Sequence, residues 1–319
     1  MSTPGVGRSE SGGFVPRAPC LNAVVNRGLV FGISAYILWG VLPVFWKWLK
    51  QVDSFEILAH RFIWSFVFLA VIIFWRRGWD RIRALPGRTI ARLFFAGSLL
   101  CVNWATYIWA VNSGHIVEAS LGYFINPLFH VVLGVVVLRE RLAPGQWLAV
   151  AIAACGVAYM TVRVGSLPWI ALVLATTFGI YALLKKQLTT VGPIESLAVE
   201  VSLISVPGLV FLGMLAANGE ASFGVAGPRI TLLLALTGVA TATPLMLFGA
   251  AAHRIKLSTI GIIQYIAPTL QFLIGVFVYS EEVTADELIG FVLVWIGLAV
   301  FTTHGILRLR RSQPEPAPA

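Results

Sequence analysis

Few side chains inside the long apolar runs of this chain can do chemistry, and their spacing sorts them. Glu56, His60 and Trp64 stand at i, i+4 and i+8, which stacks them along nearly one face of a helix, with Arg61 turned about 100° away. Such a cation would attract an anionic group or a gating carboxylate. A metal centre is disfavoured, because no further His or carboxylate recurs at ligand spacing. Asn103 and Tyr107 form a second i, i+4 pair, Glu200 is a lone carboxylate in an apolar run, and two proline-containing runs carry Tyr123, Asn126, Pro127 and Gln264, Tyr265, Pro268. The chain has no P-loop, no H-E-x-x-H and no G-x-S-x-G, and most carboxylates fall at the ends of apolar runs. Neither a catalytic constellation, an in-chain ATP motor nor a cofactor site follows from these motifs.

The elements that must position these residues are membrane helices. The 319 residues are 58% hydrophobic and 12% charged, with a mean hydropathy of +0.86, too little polar surface for a water-soluble globule. The apolar runs are about 18–22 residues long, as spanning helices require, whereas barrels show short alternating segments. The fold class expected is therefore all-α integral membrane. The three cysteines, Cys20, Cys101 and Cys155, have no redox or metal spacing, and the last two read as small packing residues.

Ten spans are expected, at roughly 29–46, 55–75, 91–111, 117–138, 146–162, 167–184, 195–216, 230–252, 258–280 and 286–306. Residues 1–27, rich in Gly, Ser, Pro and Arg, read as a disordered cytoplasmic tail, and residues 307–319 as a second cytoplasmic tail. A cleaved signal peptide is the rival for the N-terminus, but no small-residue cleavage site follows the first run. Placing the N-terminus in the cytoplasm collects 18 of the 23 Lys and Arg residues on that side, leaves Lys47, Lys50, Arg163 and Arg229 outside, and puts Arg61 within a span. Both termini are then cytoplasmic, in the inner cell membrane. The net charge of +9 is spread over separate loops, which fits topology and anionic lipid rather than nucleic acid.

The chain repeats itself. An offset of 141 carries Pro127 onto Pro268, Gly134 onto Gly275 and Glu140 onto Glu281, and an offset of 139 carries Trp39-Gly40 onto Phe178-Gly179 and Glu56 onto Glu195. Residues 28–163 and 164–306 thus form two five-helix repeats. Five is odd, so the second repeat enters the membrane from the opposite side, an inverted plan recurrent in secondary transporters, with the site near the midplane. The prolines lack an N–H, so the carbonyls of Tyr123 and Gln264 are expected to lose their helical partner and to face a cavity.

Depth weighs the polar residues. Arg61 lies roughly 10 Å below the outer edge of a hydrocarbon layer about 30 Å thick. Glu56 is shallow and reads as an interfacial cap. For His60 and Arg61, a tether to neighbouring helices or snorkelling outward stands beside a transport role. The repeat sets Glu200 at the position of Arg61 from the opposite side, with an axial gap of about 10 Å, which suggests an Arg61–Glu200 gate. Asn103 and Tyr107 are cavity candidates, Trp109 an interfacial belt residue, and Asn112 marks the outer end.

The runs SAYILWGVLPVFWK, EILAHRFIWSF, NWATYIWAVN, EASLGYFINPL and QYIAPTLQF resemble the RarD-type permeases of the EamA group in the drug/metabolite transporter superfamily. The resemblance spans about residues 28–306. It implies a ten-helix, 5+5 inverted-repeat permease of a bacterial cytoplasmic membrane, with helices one, three, four, six, eight and nine around a central cavity. The function expected is secondary transport, with export preferred over import, of small organic metabolites or drugs. A receptor, scaffold or integral membrane enzyme is the alternative. Coupling to an ion gradient, the proton included, facilitated diffusion and the oligomeric state are left open.

Overall fold

The computed structural model describes residues 21–112, 116–164, 169–280 and 285–311. Among them are twelve helices and no strand: α1 (Leu21–Lys47), α2 (Ser54–Trp75), α3 (Trp79–Arg83), α4 (Gly87–Asn112), α5 (Ile116–Val136), α6 (Pro144–Val164), α7 (Trp169–Gln187), α8 (Pro193–Ala217), α9 (Pro228–Ala252), α10 (Leu257–Gln264), α11 (Ile266–Tyr279) and α12 (Ala285–Arg311). By length and composition, eight segments can cross a membrane, in α1, α2, α4, α6, α7, α8, α9 and in α10 with α11. Helices α5 and α12 carry shorter apolar stretches, Gly122–Val136 and Leu288–His304.

Helix α1 begins at Leu21, inside the stretch expected to be a tail. No Gly or Pro interrupts residues 21–27, so nothing stops the apolar run from extending backward by about two turns. Helix α12 likewise runs to Arg311, five residues into the stretch expected as the second tail. Residues 1–20 and 312–319, the side chains of Asn112 and Glu118, and Glu281 lie outside the described residues. The ninth expected span is not one helix but two. It breaks at Tyr265, just before the point where Pro268 leaves the Gln264 carbonyl without a helical donor. Its counterpart α5 stays continuous through Pro127.

The most extensive helix contacts map onto one another when α1 is exchanged with α7, α2 with α8, α4 with α9, α5 with α10–α11 and α6 with α12, whereas α9 meets α7 and α8 more closely than α4 meets α1 and α2. Helix α1 lies on α9 and on α10–α11, as α7 lies on α4 and on α5. Helix α2 lies on α9 as α8 lies on α4, while α2 meets α8, α5 meets α10 and α6 meets α12 directly. Since lipid is as apolar as leucine, these crossings depend on van der Waals fit and small residues. A Cβ on Gly97 would stand 2.6 Å from the Glu200 carbonyl oxygen, and one on Gly261 would stand 2.5 Å from that of Pro127. Glycine is what lets α4 approach α8, and α10 approach α5.

Helix starts are fixed by polar caps. The Asp53 carboxylate accepts from the N–H groups of Phe55 and Glu56 at 2.8 and 3.2 Å, holding α2. Glu140 caps a helix far from it in sequence: it accepts from the N–H groups of Leu257 and Ser258 at 2.7 and 3.0 Å and from the Ser258 hydroxyl at 2.6 Å. Its negative charge thereby also meets the positive end of the α10 dipole.

Candidate functional site

Where α5 crosses α10–α11, a cavity of about 200 Å³ opens, walled by α1, α2, α4, α5, α7, α10 and α11. Its walls are aromatic: Trp39 and Trp46 from α1, Trp104 and Tyr107 from α4, Tyr123 from α5 and Phe178 from α7. Arg61, Asn103, Asn126, Gln264 and Gln271 supply the polar surface. The floor is tight, with Tyr36 2% and Gln264 5% exposed, whereas Tyr123 toward the mouth is 37% exposed. Beneath the floor, Phe178 and Phe248 pack at 5.5 Å, Tyr181 and Phe248 at 6.0 Å, and Tyr36 and Phe248 at 6.3 Å between ring centroids. The cavity therefore opens toward the end of the bundle where α1 finishes and is closed toward the other.

Arg61 is the charged residue of this wall. Its Nε donates to Thr241 Oγ1 at 3.0 Å, and its guanidinium carbon lies 4.2 Å from the Trp104 ring and 4.9 Å from the Trp46 ring. Two indoles and a hydroxyl hold the cation in a fixed orientation. Among the described residues, no carboxylate lies within salt-bridge distance of it.

The expected Arg61–Glu200 gate is not formed. Glu200 Oε1 lies 2.8 Å from Lys185 Nζ and accepts from the Ser196 hydroxyl at 2.7 Å, while Oε2 accepts from the Tyr181 hydroxyl at 3.1 Å. Lys185 also donates to Ser196 Oγ at 2.7 Å. With Lys185 1% and Glu200 0% exposed, the ion pair is closed off between α7 and α8. The offset of 139 that aligns Arg61 with Glu200 aligns Trp46 with Lys185. At offset-equivalent places α7 and α8 hold an ion pair, whereas α1 and α2 hold a cation on an aromatic ring, so of these residues only Arg61 leaves a charge facing the cavity.

Of the other expected site residues, Asn103, Tyr107, Tyr123, Asn126, Gln264 and Pro268 line the cavity. Asn103 spends its amide nitrogen on the Leu174 carbonyl and Thr177 Oγ1, both at 2.8 Å, tying α4 to α7. The rings of Tyr107 and Tyr123 meet edge to face at 5.7 Å. Asn126 is 5% exposed, and its Oδ1 has no hydrogen-bond partner. The carbonyl captured between the proline helices is that of Phe124, which accepts from the Tyr265 hydroxyl at 3.1 Å, one residue on from the expected Tyr123. Tyr265 and Pro127 thus serve the crossing rather than the wall. His130 packs beside Phe178 at 5.8 Å between ring centroids, and neither of its ring nitrogens has a hydrogen-bond partner.

His60 and Trp64 lie elsewhere, in a cluster under the α8–α9 connection. Trp64 Nε1 donates to His60 Nδ1 at 3.2 Å, and the Phe223 ring stacks on His60 at 4.9 Å. Glu56 is no interfacial cap: it is 1% exposed and accepts from Ser222 N at 2.7 Å, Phe223 N at 3.2 Å and the Ser222 hydroxyl at 2.8 Å. Those backbone donors, left free by the connection, are what bury its charge.

Sequence reasoning missed Tyr36, Trp39, Trp46, Phe178 and Gln271 as wall residues, Thr241 behind Arg61, and Lys185. A signal existed for two of them, since Trp39 and Phe178 are repeat equivalents. Of the six helices that the resemblance put around the cavity, the eighth span, α9, places no residue in the wall and contributes Thr241 behind it and Phe248 beneath the floor. Helix α2 takes its place through Arg61.

Comparison with known proteins agrees with the architecture. Residues 26–162 match the EamA-like transporter family. Protein RarD of Streptomyces exfoliatus is 44% identical over 90% of this chain and 92% of that protein, and the uncharacterized transporter YojE of Bacillus subtilis is 43% identical over 92% and 99%. A solved crystal structure, 19% identical, covers 88% of this chain and 98% of its own at a TM-score of 0.68, and so shares the fold. With identity of this order along nearly the whole chain, the protein belongs to the RarD-type branch of the EamA-like transporter family, membrane permeases of the drug/metabolite transporter superfamily.

Proposed function

We propose that this permease is a secondary exporter of small organic metabolites or drugs, working by alternating access around the cavity between two inverted five-helix repeats. The observation that carries the reading is the one-sided cavity, open at one end and sealed at the other by Tyr36, Phe178, Tyr181 and Phe248. A scaffold needs no such space, and a sealed floor beneath an open mouth is what one of two alternating states requires. Ten spans with both termini cytoplasmic in the inner membrane would make the open end the outer one. The exchange of the most extensive helix contacts supports the inverted plan, because α1 lies on α9 and α10–α11 as α7 lies on α4 and α5. Counterflow of labelled metabolite pools in proteoliposomes containing only this chain tests the proposal. Saturable, chemically unaltered exchange is expected. Binding without flux would make the protein a receptor, and altered chemistry in the pool would make it an enzyme.

A further inference from the structure

We infer that the cargo is a small organic monoanion, a carboxylate on a planar or aromatic body, whose carboxylate pairs with Arg61. The inference rests on the permease reading and deepens it.

Charge balance comes first. Arg61 is the one charged side chain among the residues lining the cavity. Its repeat equivalent Glu200 is already neutralised by Lys185 outside that wall. The loaded site must cross from one side of the hydrocarbon to the other, where a net charge is costly, and a monoanion brings the site to neutrality. A neutral cargo leaves the charge unpaired. A cation doubles it. Two of the aromatic faces that could hold an ammonium, Trp46 and Trp104, are already occupied by Arg61, whose like charge would repel a cation on the faces that remain.

Geometry narrows the anion. With Nε committed to Thr241, the four N–H groups on the two Nη atoms remain, a planar fork that matches a carboxylate edge. A volume of about 200 Å³ lies below the roughly 300–1,000 Å³ of pockets for drug-sized ligands, so a body on the scale of a single ring fits better than a large drug. The edge-to-face Tyr107–Tyr123 pair and Trp39 supply flat apolar wall for it.

The test compares three isosteres on the purified full-length chain: para-hydroxybenzoate, para-hydroxybenzamide and para-hydroxybenzylamine, which are anionic, neutral and cationic. Binding is read by quenching of tryptophan fluorescence and by thermal stabilisation. The carboxylate should bind about tenfold or more tighter than either analogue, the difference a charge-assisted pair makes. Arg61→Gln should erase that preference, and Arg61→Lys should restore only part of it. The preference is measured on the unmodified chain, so it does not depend on the variants folding. Equal affinity for amide or amine, or no binding of the acid, overturns the inference. Counterflow of the same acid separates the two levels: selective binding without flux would leave the anion site standing and remove the transport reading.

Discussion

Tyr265 donates its hydroxyl to the backbone carbonyl of Phe124 at 3.1 Å, and the two residues are 141 apart, the offset that superposes Pro127 on Pro268. The two proline helices are thus tied at equivalent positions, directly beside the cavity. Tyr265→Phe removes only the hydroxyl. It should cost about 0.5–1.5 kcal/mol, as for other interhelical hydrogen bonds in membranes. Tyr265→Ala also leaves a void and should cost about 3–5 kcal/mol. Reversible unfolding in mixed micelles measures both, and a Phe variant as stable as the parent would mean that the hydroxyl does not hold the crossing.

The unequal behaviour of the two prolines yields a second expectation. Helix α5 runs unbroken through Pro127, whereas α10 and α11 part at Tyr265 ahead of Pro268. Pro268→Ala restores a donor to the Gln264 carbonyl and should join α10 to α11, moving Gln264 and Gln271 in the wall. Flux should therefore fall further in Pro268→Ala than in Pro127→Ala, with both proteins inserted. Equal flux in the two, measured per folded molecule, would reduce the break to a packing feature.

The Lys185–Glu200 pair bears on stability rather than cargo. Removing either charge leaves the other buried and uncompensated, a loss of about 3–5 kcal/mol. Lys185→Met and Glu200→Gln should each destabilise strongly, and the double variant Lys185→Met/Glu200→Leu should recover much of the loss. Arg61→Leu and Glu200→Gln should add independently, since the two residues have separate partners. A coupling energy above about 0.5 kcal/mol between Arg61 and Glu200 would bring back the gate that the geometry removes.

How far the sequence could be read follows from where each signal resides. The repeat and its prolines were legible because an offset is a property of the string. Arg61 was legible because a cation in an apolar run stands out. Lys185 was not, since it adjoins Lys186 at a span end. Neighbouring residues on a helix point about 100° apart, and only the packed structure decides that Lys185 turns inward while Lys186 reaches the Ile255 carbonyl. Glu56 reads from its depth as an interfacial cap, yet Asp53 caps α2 and Glu56 is captured by a connection 166 residues away. Long-range capture leaves no mark in local spacing.

Topology is open to chemical labelling. Single cysteines at Gly78, before α3, and at Ala221, between α8 and α9, should react with a membrane-impermeant maleimide from opposite faces, Ala221 from outside. Reaction of both from one face would contradict the ten-span arrangement with cytoplasmic termini.

The final expectation concerns Glu56, which links α2 to the α8–α9 connection five residues before Arg61. Its two oxygens accept three hydrogen bonds from Ser222 and Phe223, two of them from backbone N–H groups. Glu56→Gln keeps the shape but replaces one acceptor oxygen with a donor, and the remaining bonds lose their charge assistance. The connection should then open more often, and Phe223 should lift from His60 and Trp64. Hydrogen exchange of a peptide containing Ser222 and Phe223 should quicken by about tenfold or more, the change expected for a charge-assisted bond, while a peptide from α10 should be unchanged. Protection in α10 serves as the internal control, because general unfolding would raise both rates together. Unchanged exchange around Ser222 in a folded Glu56→Gln protein would mean that packing of Phe223, rather than the buried carboxylate, holds the connection down.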